Sequence, residues 1–294
     1  MQTEKIKLYY GIKKEGIRYN YAFVDKIVGA GLAVLDGVDS SGPARLLSLL
    51  KKSVTKLGSE DGKELVLNDF DYFSFYGQDC WKMARMAMKR ILNKSKLIFP
   101  EYFYCDVCST IGHENYTKHE EDWDDLIAQG IVYETYIEDD EEPYYWTELP
   151  VGINIVPTQT IKGGTFNKLK REPITLGKMI KLNKNKWASE TEANMIYSTW
   201  DVSIAEIDGM SQRDFDILVT RNPHNSFTKQ YIIHQEDQDQ MEIDSTTKKI
   251  MGMDFSGRQV TCRHCGNEIG GYPDFTNFFQ SLLPKRSIRG HIQR

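Results

Sequence analysis

Two Cys-x-x-Cys pairs lie far apart in the chain, Cys105 with Cys108 in FYCDVCST and Cys262 with Cys265 in VTCRHCGNE. Four thiolates are what a structural zinc ion takes, tetrahedrally at ~2.3 Å, and two intervening residues let each pair offer both sulfurs on one side of a tight turn. The spacing predicts one zinc site shared by Cys105, Cys108, Cys262 and Cys265. Gly266 follows the second pair and can take a positive φ, which turns backbone N–H groups towards the sulfurs. Ser109 holds the equivalent place after the first pair. The competing readings are a disulfide within each pair, a redox motif, or two separate sites completed by His113, His119 or His264. Disulfides within Cys-x-x-Cys are poor staples, and five cysteines without a secretory leader point to a reducing compartment. A thioredoxin-like motif would open a helix inside a βαβ pattern, which neither context shows. A zinc ion with four thiolates keeps no open position for water, so it staples the chain and does no chemistry. Cys80, in CWKMARMAMKRIL, reads as a small core side chain.

About 150 residues separate the two pairs, so a folded body must lie between them. Loop closure costs grow only logarithmically with length, whereas a structural zinc contributes on the order of 10–16 kcal/mol in small domains, enough to clamp such a body shut. Before the first pair, KIKLYYGI and IRYNYAFV read as short β segments, and the glycines of VDKIVGAGLAVLDG as packing positions. Ser41 or Gly42 caps a helix with Pro43 in its first turn and Leu46, Leu47, Leu49, Leu50, Val54 and Leu57 along it, ended by Gly58. Asn68 or Asp69 starts the next helical segment, with Met83, Ala87, Met88, Ile91 and Leu92 at helical spacing. The aromatic cluster Phe70, Tyr72, Phe73, Phe75 and Tyr76 is read as buried in its own domain, with an interface as the alternative.

Between the pairs, EDDEEP reads as a mobile acidic tip whose flanks IVYETYI and YYWTELPV pair as strands. Strands broken by Pro and Gly continue through REPITLGKMIKLNKN, and a helix runs over 189–207. Ser211 and Asp214 have the spacing of a second helix cap, ended by Asn222 and Pro223, and QEDQDQMEID reads as a loop. Phe275, Phe278, Phe279, Leu282 and Leu283 share one face of a tail element, which must bury that face on its own domain or on a neighbouring subunit.

A net charge of −5 over 294 residues suits no protein that grips nucleic-acid backbone with its whole surface, although Lys285, Arg286, Arg289 and Arg294 make a basic tail. No apolar run approaches a membrane span. The start, MQTEKIKLYYG, lacks an apolar signal core, so the expected location is the cytoplasm of the cell that makes the chain. No GxSxG, HExxH or P-loop is present and the six histidines are scattered, so an enzyme is not expected.

The order of these motifs resembles the zinc-knuckle baseplate hub proteins of contractile-tailed, T4-like bacteriophages, small subunits or assembly factors of the central hub. The resemblance rests on the helix leading to Cys105 and Cys108, the Leu149-Pro150-x-Gly152 turn, the stretch Arg171 to Ile180 and the Ile207 to Ser211 helix entry. Cys262, Cys265 and Gly266 and the aromatic Asp274 to Phe279 complete it, over residues 68–283. It implies a structural or assembly role in the tail baseplate through contacts with other tail proteins, in the host cytoplasm during assembly, with zinc as a fold staple; a virion component of the baseplate and a transient assembly chaperone are both open. A nucleic-acid-binding zinc-ribbon regulator is the alternative. The expected fold is α+β, with a helical N-terminal portion, an antiparallel β-rich middle and a split four-cysteine zinc ribbon joining residues ~105 and ~265. The expected domains are a mixed α/β extension over 1–67, a zinc-stapled core over 68–283 with an inserted β-rich body over 109–261, and a basic tail over 284–294.

Overall fold

A computed structural model describes residues 3–27, 42–92, 98–103, 117–129, 133–134, 136–184, 192–220, 226–232, 237–250, 253–254, 259–261 and 265–270. Strand β1 (Glu4–Lys14) turns through Glu15 and Gly16, both at positive φ, into the antiparallel strand β2 (Ile17–Val24). That pair of left-handed residues matches the twist of a tight hairpin. The register slips between Lys7 and Ile12. Gly11 lies in the slip at φ +64°, where a Cβ would come within 2.4 Å of the Tyr19 carbonyl oxygen. Leu8 to Ile12 are buried without alternation, so both faces of β1 are covered there.

Helix α1 (Gly42–Ser53) buries Leu46, Leu49 and Leu50 at three- and four-residue spacing. It ends five residues earlier than expected, and β3 (Val54–Gly58) follows without a break and pairs with β2. Leu57 sits at helical spacing, but β-branched Val54 and Thr55 suit a strand, and pairing with β2 buries Val54 and Leu57 completely. With β4 (Glu64–Val66) the sheet order is β1-β2-β3-β4, so the expected helical N-terminal portion is corrected to a four-stranded sheet accompanied by helices. Asn68 does start the next segment: its side chain accepts the N–H groups of Phe70 (2.8 Å) and Asp71 (3.2 Å). The helical stretch is two pieces, α2 (Asp71–Ser74) and α3 (Gly77–Leu92). Cys80, Met83, Ala84, Ala87 and Met88 form the buried stripe of α3. The aromatic cluster splits, with Tyr72 and Phe75 buried and Phe70 and Phe73 exposed.

Strands β5 (Ile98–Phe103) and β6 (Thr117–Asp122) pair antiparallel, followed by α4 (Trp123–Ala128) and the two-residue β7 (Tyr133–Glu134). Among the described residues the flanks of EDDEEP do not pair with each other. β8 (Tyr145–Ile155) pairs instead with β9 (Gly164–Arg171), because their alternation covers the Leu149, Ile153, Ile155, Phe166 and Leu169 core. The acidic stretch is fastened as well: Arg18 donates to the carbonyls of Asp139 and Glu141, and Lys13 pairs with Glu142 at 2.5 Å.

The expected β-rich middle ends at β9, where helices take over. REPITLGKMI yields α5 (Leu176–Lys184), and α6 (Glu192–Ser203) stops before β10 (Ile204–Ile207), which joins the sheet in the order β10-β9-β8. Ser211 caps α7 (Gln212–Phe215) as expected, its hydroxyl accepting the Asp214 N–H at 3.2 Å. The π-helical segments Asp216–Thr220 and Thr228–Ile232 follow. The polar stretch expected as a loop is part of α8 (Asp237–Ile250), whose Asp239, Ile243 and Thr246 are buried at helical spacing. Then come β11 (Met253–Asp254), paired with β7, and β12 (Gln259–Thr261), paired with β13 (Glu268–Gly270).

The fold is α+β with antiparallel sheets. The chain divides into two compact units, residues 1–91 with 133–254, and residues 92–132 with 255–294. Among the described residues no helix is long and apolar enough to cross a membrane.

Candidate functional site

Of the four expected zinc ligands, Cys265 alone belongs to the described residues, and Cys105, Cys108 and Cys262 lie outside them, as do the tail elements over 271–294. Cys265 is exposed in the turn between β12 and β13, where Thr261 pairs with Glu268. Gly266 takes the expected positive φ, +75°, with open space where a side chain would stand. The first pair falls within the stretch that joins β5 to β6, whose nearest paired residues are Phe103 and Thr117. Both Cys-x-x-Cys motifs therefore fall in the connections of antiparallel hairpins, and both hairpins belong to the second unit. Thiolates in such connections are the donor set that zinc takes. Among the described residues there is no group of three or more His, Cys, Asp or Glu side chains able to hold a metal ion.

The first unit contains a different concentration of chemistry, which the sequence did not advertise. Asp79, in the first turn of α3, is completely buried against β1. Its carboxylate accepts the N–H groups of Tyr9 (2.6 Å), Tyr10 (3.3 Å) and Gly11 (2.9 Å), the three donors that the register slip turns out of the ladder. Burial pushes the Asp79 carboxyl up to about 6, against the pull of these donors and of Lys82.

Next to it, Glu134 on β7 takes hydrogen bonds from the Tyr9 hydroxyl, from the Tyr136 hydroxyl at 2.8 Å and from the Lys82 ammonium at 3.5 Å. Lys82 also donates to the Tyr136 oxygen and lies over both rings, 4.4 Å from the Tyr9 centroid and 4.5 Å from that of Tyr136. Burial raises Glu134, but the bonds from Tyr9 and Tyr136 and the charge of Lys82 outweigh it and hold the carboxylate below its usual range. Burial lowers Lys82, with Glu134 offsetting part of the effect, and burial raises both tyrosine hydroxyls. With the tyrosines and the lysine all donating, directly or in relay, to one carboxylate, the network binds elements together.

Three further polar groups, Asp201 half-buried and Asp239 and Arg171 buried, follow the same plan. Asp201 accepts from the Phe227 and Thr228 N–H groups (3.0 and 2.8 Å) and the Thr228 hydroxyl. Asp239 accepts from Val151 and Gly152 (3.0 and 3.1 Å) at the second register slip, where Gly152 has φ +86°. Arg171 donates to the Ser203 hydroxyl (3.1 and 2.8 Å) and to the Ile243 carbonyl (2.6 Å), tying β9 to α6 and α8. In each case the charged group satisfies backbone or hydroxyl partners of the chain itself.

Sequence reading passed over Glu134 and Asp79. Alternation in IVYETYI places Glu134 and Tyr136 on one side of the strand, and Asp79 stands in the first turn of a helix, so both had a faint local signal. Their shared partner Tyr9, 70 residues from Asp79 and 125 from Glu134, had none. The chain matches no protein-family model, no curated protein and no solved structure.

Proposed function

We propose that the chain is a structural or assembly protein of a phage tail baseplate hub, acting through protein–protein contacts, with a zinc ion held by Cys105, Cys108, Cys262 and Cys265 as its staple. The observation that carries the zinc reading is the placing of both Cys-x-x-Cys motifs in the connections of two hairpins of one unit, with Gly266 at positive φ directly after Cys265. Two knuckles offered from hairpin connections supply thiolates to one ion from two sides, and four thiolates leave no coordination position for a reacting water.

The baseplate reading rests on the order of motifs over residues 68–283. Two of those motifs are fold-defining in this chain. Leu149-Pro150-x-Gly152 is the register slip capped by Asp239, and Ile207 to Ser211 is the turn and cap that opens α7. A non-enzymatic role fits the use of the buried Asp79, Asp239 and Arg171 and the half-buried Asp201 as partners for the chain's own backbone and hydroxyl groups. Assembly in the host cytoplasm follows from that role.

Metal content of the purified full chain, measured by mass spectrometry, tests the staple. One zinc per chain is expected, falling sharply in Cys265→Ser; a metal-free wild type would sink the zinc site. Co-expression with hub proteins tests the assembly role. Removing residues after Asp274 should abolish co-purification while leaving the first unit folded, and undiminished co-purification rejects the tail as the docking element.

A further inference from the structure

The chain passes between the two units after residue 91, again after residue 132 and a third time after residue 254. The second and third passages begin on paired strands: Glu134 of β7 faces Met253 of β11, and Tyr133 faces Asp254. A ladder of two residues on each strand is marginal by itself, because so few cross-strand contacts offset the entropy of ordering it. What secures it is Glu134, whose side chain is only 12 % exposed and which takes its three donors from β1 (Tyr9), α3 (Lys82) and the neighbouring Tyr136. Directly beyond, the Ile137 N–H donates to the Tyr9 carbonyl at 3.0 Å, and β11 follows closely on α8, which packs on β8. Every one of these groups belongs to the first unit.

We propose that Glu134 is a latch that fastens the paired chain passages β7 and β11 to the first unit, so that this unit keeps its fold when the cysteine-bearing unit loses its own. The latch is needed because loops and short edge ladders open locally at far lower cost than a core. Opening of the second unit would otherwise fray inwards along β7 and β11 to β1. The charge-assisted bonds from Tyr9, Tyr136 and Lys82 stop the fray at Glu134.

Hydrogen–deuterium exchange of the full chain tests this, comparing wild type, Glu134→Ala and the milder Tyr136→Phe, each with and without a strong zinc chelator. Three regions are followed: β5–β6, the passages 133–137 and 253–254, and β2–β3. Without chelator, the passages in Glu134→Ala should exchange about tenfold faster or more, with β2–β3 unchanged, and Tyr136→Phe should show a smaller rise of the same pattern. With chelator the wild-type passages should keep their protection, whatever happens to β5–β6, whereas in Glu134→Ala any opening of β5–β6 should spread to β2–β3. Without chelator, passages within about twofold of wild type in both variants, or equal deprotection of β2–β3, would overturn the latch, as would loss of passage protection in chelated wild type. A β5–β6 hairpin indifferent to chelation speaks against zinc alone, because the comparison of variants without chelator needs no metal.

Discussion

Replacing Asp79 by Asn keeps the shape of the side chain and removes what β1 needs from it. Three backbone N–H groups converge on the carboxylate, and an amide retains one acceptor oxygen while turning an NH2 towards donors. One or two of the three are left unsatisfied in a fully buried place, at about 1–3 kcal/mol each, so Asp79→Asn should lose about 2–4 kcal/mol near neutral pH. For a body of this size that lowers the thermal midpoint of the first unit by roughly 6–12 °C. The carboxyl also carries a pH signature. Its folded value of about 6 lies above the ordinary 3.8, so the protonated form is favoured by folding. The stability this contributes is complete below about pH 4 and lost as pH rises through 6, in total about 3 kcal/mol. Urea unfolding followed by circular dichroism, on wild type and Asp79→Asn between pH 4 and 7, should show the gap between them narrowing by about that amount as pH rises. A variant within about 1 kcal/mol of wild type at neutral pH, or a gap that widens with pH, would refute the reasoning.

Gly11→Ala and Gly16→Ala both place a side chain at positive φ, but position 11 adds a 2.4 Å collision with the Tyr19 carbonyl oxygen while position 16 faces open space. Urea titration should show a loss of about 3 kcal/mol or more for Gly11→Ala and about 1 kcal/mol for Gly16→Ala; equal losses would contradict the slip geometry. Arg171→Leu removes the guanidinium bonds to the Ser203 hydroxyl and the Ile243 carbonyl, which tie β9 to α6 and α8, and should lose about 2–4 kcal/mol. Arg171→Lys, lacking the planar fork, should fail to restore it, and a lysine variant as stable as wild type in thermal unfolding would count against the fork. In a zinc competition assay Gly266→Val should weaken metal retention about tenfold, since a β-branched residue resists a φ of +75°, while Gly62→Val, in a turn of the first unit at +79°, should leave it unchanged.

Local signals carried the parts of this fold whose causes are local. The β character of KIKLYYGI and IRYNYAFV, the Asn68 and Ser211 caps, the stripe of α3 and the positive φ of Gly266 all depend on neighbours within a few residues. Legibility failed where a distant partner decided. Val54 to Gly58 continued a helical spacing and became a strand because the edge of β2 was there to pair with. QEDQDQMEID looked too polar to bury anything, yet its residues from Asp237 onward belong to α8, which packs on β8 with Asp239, Ile243 and Thr246 buried. EDDEEP was read as a free tip because Arg18, which holds its carbonyls, lies some 120 residues earlier. The cysteine motifs were visible because their spacing is itself the signal, whereas Glu134 was one acid among many until Tyr9 and Lys82 were brought beside it.

The burial of Arg18 sets an order on synthesis. Strands β1 to β4 are complete by Val66 and Asp79 follows soon after, so the N-terminal sheet can pair while most of the chain is still to be made. The guanidinium of Arg18 ends 4 % exposed, and its acceptors beyond Tyr10 are the carbonyls of Asp139 and Glu141. Until those residues leave the ribosome, a cation destined for the interior must stay wet, and the flank of β2 that carries it must stay open. A nascent chain paused between these points would present an uncovered strand surface, the stage at which a chaperone has most to protect.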